Sequence, residues 1–351
     1  MKCFLEMSHY CTDGFRNDNT TCIDTPIAVS AGYYSYDNYF YYLFYHSALH
    51  NWTNTSLKDW HGLKNKVVRK MGLELVPNEI SNTEEVIPKI KEKLDLSIPV
   101  MMPTKYKSLF YFYLSGNPDA AHFIVISGYD SKRNYMYVRD INHLFESGAQ
   151  QYMTPHSTGL FGIFMTEKML EDIWSDSNKY FKEEGGPQSQ EYYCFDSMFH
   201  NILYSLEKRG EPEIDSYDSL IKDFLKNVAF KDNRFVAAVK QYNEMKENIK
   251  EYALGFEIAF YRCLNVIFGV IGKWLQSHSE NPEANRLIEE FDGIRNRHLE
   301  YKKETVFALI EAAKSNTGYS EDELQNIINT VKALDNEFFG FVQGALNILV
   351  K

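Results

Sequence analysis

Three residues have the types and the order needed for nucleophilic chemistry on sulfur: Cys22, His122 and Asp140. A thiol becomes a strong nucleophile as its thiolate, and an imidazole beside it can take the proton and return it. A carboxylate on the other ring nitrogen fixes the tautomer and stabilises the imidazolium. The question is whether the chain can bring these three side chains together.

His122 heads the apolar run HFIVISGYD (122–130), and NYMYVRD (134–140) follows after Asp130-Ser131-Lys132-Arg133. The two runs read as a β-hairpin with its turn at 130–133. On the first strand His122, Ile124 and Ile126 share one face, and Phe123, Val125 and Ser127 share the other. Both faces are apolar, so the strand is expected to be central. A histidine at the head of such a strand is more often a satisfied core residue than a working base. The hairpin changes that balance, because it returns Asp140 to the neighbourhood of His122.

Cys22 is the best nucleophile available. It lies just before an apolar segment, 23–49, in which Pro26 suits the first turn of a helix with Asp24 or Thr25 as its cap. The positive end of a helix dipole lowers a thiol pKa. Gly32 is expected to break this segment before the aromatic run 33–45, whose side chains either line an acyl pocket or pack the core. Cys3 and Cys11 fall in an irregular, polar N-terminal stretch. Cys194 and Cys263 fall in the later helical part, where Cys263 reads as a small core hydrophobe. Five cysteines without a CxxC pair indicate neither a zinc knuckle nor a disulfide framework. His46, His50 and His61, near Asp59, match no helical metal motif, so no metal site is expected. The absence of GxxxxGK[ST] and GxGxxG predicts no bound nucleotide cofactor.

The pattern changes near residue 165. Before it, short strand-like runs alternate with turns: IPVMMP (98–103), YKSLFYFYL (106–114), the hairpin and GLFGIFMT (159–166), after which Thr166 caps a helix. Segments 58–72 and 83–95 read as amphipathic surface helices. After the linker EEGGPQSQ (183–190) come long helices, about 215–229, 233–277, 282–314 and 320–349, with apolar positions such as Leu287, Phe291 and Ile294 at bundle spacing. The fold class is therefore α+β: a catalytic-type domain over 1–182 and an all-α helical domain over 191–351.

The chain has 351 residues and a formal net charge of −11. Residues 1–150 carry 15 Lys+Arg and 16 Asp+Glu, and the rest carries 22 and 32. This balance argues against a nucleic-acid partner and makes the second half either a solvated acidic helical surface or one suited to a cationic or amine-bearing partner. No run of 18 or more apolar residues occurs and the N-terminus lacks a signal-peptide core, so no membrane span and a cytoplasmic location are expected. The basic stretch 64–70, with Lys89, Lys91 and Lys93, is either a solvated helix face or a landing site for an acidic protein. The long helices can pack within one chain or across a homodimer.

Taken together, Cys22 with IxxxIAVSAGYY after it, Pro99-Val100, Ala121-His122-Phe123, Gly128-Tyr129-Asp130 and Tyr137-Val138-Arg139-Asp140 resemble the papain-like C39 type of cysteine peptidase fold. More closely they resemble the butirosin biosynthesis protein H N-terminal family, over roughly residues 15–165. The resemblance implies a papain-like domain with Cys22 as nucleophile, His122 as general base and acid, and Asp140 as orienter. It implies amide formation in natural-product biosynthesis. There the acyl group arrives as a thioester on the phosphopantetheine arm of an acyl or peptidyl carrier protein and leaves on a small amine, as in closthioamide-type amide synthases. The C39 pattern places an oxyanion-hole Gln six residues before the cysteine. Arg16 stands there instead, which leaves Asn17 or Asn19 as donors beside the Cys22 backbone N–H. The same triad can also hydrolyse, as a peptidase or thioesterase. A degenerate, non-enzymatic scaffold is the third reading, supported by Arg16.

Overall fold

The strand-like runs of the first half, joined by a later strand, pair into one seven-stranded sheet in which every described ladder is antiparallel. The strands are β1 (Lys2–Phe4), β2 (Leu73–Glu79), β3 (Val100–Lys105), β4 (Ala121–Asp130), β5 (Tyr135–Asp140), β6 (Phe161–Thr166) and β7 (Ile202–Lys208). Their order is β2-β7-β3-β4-β5-β6, with β1 beside β4. In this computed structural model residues 2–7, 23–52, 60–110, 121–140, 161–183, 199–229, 233–245, 263–315 and 317–350 are described. Helices α1 (Asp24–Tyr34), α2 (Asn38–Trp52), α3 (Trp60–Arg69), α4 (Val86–Asp95) and α5 (Glu167–Glu183) complete the first half. Beyond β7 lie α6 (Tyr217–Asn227), α7 (Arg234–Lys240), the single turn α8 (Tyr242–Met245), α9 (Cys263–Ser277), α10 (Pro282–Lys314) and α11 (Glu321–Leu349).

The chain divides into a sheet unit, Met1–Tyr42 with Lys58–Pro212, and a helical unit, Leu43–Leu57 with Glu213–Lys351. The mixed α+β class is as the sequence indicates, but several elements differ from expectation. Strand β7 falls in the stretch assigned to the helical part. It pairs with both β2 and β3, which carries the sheet unit to Pro212. The expected strand 106–114 begins as a 3-10 turn over Tyr106–Ser108, and its remainder from 111 lies outside the described residues. The expected helix 233–277 is interrupted at Gln241, resumes over α8, lies outside the described residues at 246–262, and ends with α9 at Ser277 as expected. Gly32 is buried inside α1, and the chain breaks at Ser35, whose backbone is extended. Ile23 occupies the N-cap position of α1, not Asp24 or Thr25. The Asp24 carboxylate is engaged by Lys64 and accepts from Tyr42 Oη at 2.9 Å.

From Tyr39 to Tyr45 the aromatic run is core, every residue at most 3% exposed, whereas Tyr36 is exposed. Thr166 caps α5 as expected, accepting from the Met169 N–H at 3.1 Å. In the helical unit Ser216 and Ser320 close capping boxes at α6 and α11. The buried stripe of α10 runs Ala284, Leu287, Phe291, Ile294 and then through His298, Lys302, Thr305 and Leu309. That of α11 runs Leu324, Ile328, Val331, Asp335, Phe338 and Val342. Two helical stripes thus carry polar residues at core positions, and those residues meet.

Asp335 lies 3.0 Å from His298 Nε2 and 3.3 Å from Lys302 Nζ. It accepts from Trp52 Nε1 at 3.1 Å and from the Asn233 amide. Burial alone would raise the Asp335 carboxyl, but the Lys302 charge and the bonds from His298 and Trp52 hold it well below the ordinary range. Burial, reinforced by the Lys302 charge, pushes the His298 imidazole down to about 4. A buried carboxylate stripped of its partners is costly, and conversely partners stripped of their carboxylate are left charged in an apolar core. Asp335→Ala is therefore expected to destabilise the helical unit by about 3–5 kcal/mol in denaturant unfolding. The unfolded chain protonates His298 before the folded one does, so stability falls as pH drops from about 6.5 towards 4. His298→Asn should flatten that part of the pH profile, read from the unfolding midpoint. An unchanged slope would remove His298 as its source.

Candidate active site

The central strand β4 carries His122 as its second residue, and β5 ends on Asp140. Both side chains are fully buried, and His122 Nε2 lies 2.6 Å from Asp140 Oδ1. Their meeting depends on one irregularity. At the turn end the register is Asp130↔Tyr135, Tyr129↔Met136 and Gly128↔Tyr137. It then shifts to Ile126↔Val138 and Val125↔Arg139, leaving Ser127 as an extra residue on β4. Continued without the shift, the ladder would set Asp140 across from Val125, on the face opposite His122. With the shift Asp140 falls across from Ile124, and His122 is its diagonal neighbour on the same face. Directly opposite pairing of the two residues is thus not what the hairpin produces.

The bulge is held from the other edge. The Leu5 N–H donates to the Ser127 carbonyl at 2.8 Å, and β1 runs alongside Gly128–Asp130. Gly128 is required there, because a Cβ would come within 2.5 Å of the Phe4 ring and 2.7 Å of the Cys3 carbonyl. Cys3 is therefore on a strand, not in an irregular stretch. Its thiol donates to the Leu94 carbonyl at 3.3 Å and is pushed up by burial and by Asp95. A raised thiol is a poor nucleophile at neutral pH.

Around the pair, Thr104 is the β3 partner of His122, and its hydroxyl donates to the His122 carbonyl at 3.3 Å. The Tyr106 ring lies over the imidazole, centroids 4.5 Å apart and planes 31° apart. Sequence reading missed Tyr106, since a strand over 106–114 gives it no special place; the turn immediately after β3 is what sets it beside His122. Arg139 leaves β5 on the other face, where its Nη1 donates to the Met7 carbonyl at 2.9 Å.

Cys22, Asn17 and Asn19 lie outside the described residues, as do Cys11, Cys194 and Asp59. What is described begins one residue after Cys22. Ile23 is buried, and α1, buried from Asp24 to Gly32, packs against β3, β4 and β7. His61 on α3 and His50 on α2 each have structural partners. His61 Nε2 lies 2.9 Å from the Leu75 carbonyl, and the His50 ring nitrogens face Arg234. The basic stretch is likewise not a free patch. Lys64 is buried on Asp24, Arg69 pairs with Glu74, Lys89 with Glu92, Lys91 with Glu167 and Lys93 with Glu207. Among the described residues no helix is long and apolar enough to cross a membrane.

Fold and site together describe an α+β protein whose sheet carries a buried, hydrogen-bonded histidine–carboxylate pair at one end of its central hairpin. The model of the butirosin biosynthesis protein H N-terminal family matches residues 30–141, which include His122 and Asp140 and begin eight residues after Cys22. This is the family that the sequence motifs resemble. No curated protein matches the chain.

His122 loses its acceptor if Asp140 is shortened. Asp140→Ala is expected to destabilise the sheet unit by about 1–3 kcal/mol in chemical denaturation. Asp140→Asn should recover most of that loss, because an amide oxygen can still accept from Nε2. Equal losses for both variants would show that packing, not the hydrogen bond, sets the cost.

Proposed function

We propose that the chain is a biosynthetic acyltransferase of the butirosin type, with a papain-like sheet unit, that forms an amide through a Cys22 acyl-enzyme. The observation that carries this reading is the buried His122–Asp140 pair within the family-matched segment. Asp140 takes Nε2, so Nδ1 is the nitrogen that would exchange a proton with the nucleophile. Cys22 stands two residues before α1, which packs on the strand that carries His122.

The steps follow from ordinary acyl transfer. His122 takes the Cys22 proton, and the thiolate attacks the thioester carbonyl to give a tetrahedral oxyanion. An Asn17 or Asn19 amide with the Cys22 N–H would hold that oxyanion. Collapse expels the carrier thiolate, which receives the proton from His122 and leaves Cys22 acylated. An amine then attacks the acyl-enzyme, gives its proton to His122, and the Cys22 thiolate leaves as the amide forms. Activation arrives with the thioester, so the reaction consumes no nucleotide. The carboxylate of Asp140 keeps the imidazole oriented and stabilises its charged form.

The test is intact-mass analysis after mixing the chain with acyl-loaded carrier protein. An acyl adduct is expected on the wild type and on no Cys22→Ala sample, with His122→Ala acylated more slowly by at least about two orders of magnitude. Discharge of the adduct only on adding an amine would mark a transferase, and discharge without amine a hydrolase. No adduct, together with a Cys22 inert to thiol reagents at neutral pH, would overturn the reading.

A further inference from the structure

The sheet carries an exposed feature remote from the buried His122. Phe4, Tyr135, Phe164 and Met169 are 37%, 39%, 60% and 37% exposed, on β1, β5, β6 and the start of α5. Phe164 lies 6.4 Å from Phe4 and 4.8 Å from Tyr137 between ring centroids, so the exposed rings are one cluster. They line a groove of about 400 Å³ whose rim carries Lys2 and Arg133, with Asp130 between the strands. Lys132 and Arg133 are exposed in the hairpin turn, and the Asp130 carboxylate accepts from the Lys132 backbone N–H at 3.0 Å. Among the described residues Lys2, Lys132 and Arg133 have no carboxylate partner, whereas Lys64, Lys89, Lys91 and Lys93 all do. In a chain of net charge −11 this corner is apolar and cationic.

Aromatic, Met and Arg side chains gathered at an exposed patch are the composition of an interface core. A second copy is disfavoured, since a two-fold contact would set these cations against themselves. We infer that this patch docks an acidic protein presenting an apolar side chain, and that on the proposed function this protein is the acyl carrier. Tyr135 lies five residues from Asp140 along β5, about 17 Å at strand rise, and on the opposite face. The patch is therefore a docking surface and not the acyl pocket, and the flexible thiol-bearing arm has to cover that distance round the β6 edge.

The experiment measures binding of a fluorophore-labelled holo-acyl carrier protein by anisotropy, at low and at physiological salt. Two variants are compared with wild type, the charge reversal Lys132→Glu with Arg133→Glu, and Phe164→Ser. All three residues are exposed, and an unchanged melting temperature confirms folding. Each variant is expected to bind at least about tenfold more weakly, and salt should weaken the wild type. Unchanged affinity in both variants, or no binding by the wild type, overturns the docking surface. Acylation of Cys22 by a free acyl-pantetheine thioester is followed in parallel and should be equal in wild type and variants. That second readout separates the two ideas: its loss in the wild type sinks the acyltransferase reading, whatever the carrier does.

Discussion

The extra residue at Ser127 is the constraint on which the candidate site depends. Side chains along a strand alternate with a period of two, so one inserted residue exchanges the faces of everything beyond it. Without the insertion, the ladder that starts at Asp130↔Tyr135 would deliver Asp140 to the wrong side of the sheet. With it, Asp140 joins His122 on one buried face. The same residue offers its carbonyl to Leu5, which anchors the N-terminal strand, and its neighbour Gly128 leaves room for that strand to approach. Site geometry and N-terminal anchoring therefore share one local distortion, and neither can be altered without the other.

The two units each bury a histidine against an aspartate, and the comparison separates a functional candidate from a structural cluster. Asp335 is crowded with partners: His298 and Lys302 from α10, Trp52 from α2 and Asn233 from the N-cap of α7 all converge on it. It sits mid-stripe on α11, with Phe338 and Val331 as neighbours in the core. Such a cluster costs desolvation, which its mutual attraction and hydrogen bonds offset. His122 and Asp140 instead stand at the end of a ladder, one at the start of β4 and one at the close of β5. Strand ends of a rigid sheet are where a scaffold most often presents catalytic groups.

Local signals in the sequence were readable, and long-range ones were not. The hairpin, the Thr166 cap and the helices from Pro282 and Glu321 follow from spacing and cap chemistry within a few residues. The bulge leaves no periodic trace, because Ser127-Gly128 fits an unbroken strand equally well. Lys64 reads as part of a basic helix face, yet its partner Asp24 is forty residues away, and the partner of Lys93 is Glu207. Strand β7 follows the glycine-rich linker, so its alternation was absorbed into the helical part. The polar members of the α10 stripe were within reach, since extending the spacing of Leu287, Phe291 and Ile294 lands on His298 and Lys302. For the site itself, the His122–Asp140 proximity was legible from the hairpin, whereas Cys22, Asn17 and Asn19 remain sequence assignments.

The electrostatics at the start of α1 bear on that assignment. A helix N-terminus favours an anion, which suits a thiolate just upstream. Asp24 in the first turn of α1 works against it, since a second negative charge two residues from Cys22 would raise the thiol. The structure answers this opposition within the sheet unit. Lys64 is buried on Asp24, and Tyr42 donates to the same carboxylate, so the first turn presents a compensated ion pair rather than a bare charge. Burial and Asp24 hold the Tyr42 hydroxyl well above the ordinary phenol range, so it stays a donor throughout neutral pH. With Asp24 compensated, the first turn of α1 adds no bare negative charge at the helix N-terminus, so the thiolate proposed at Cys22 would not have to overcome one.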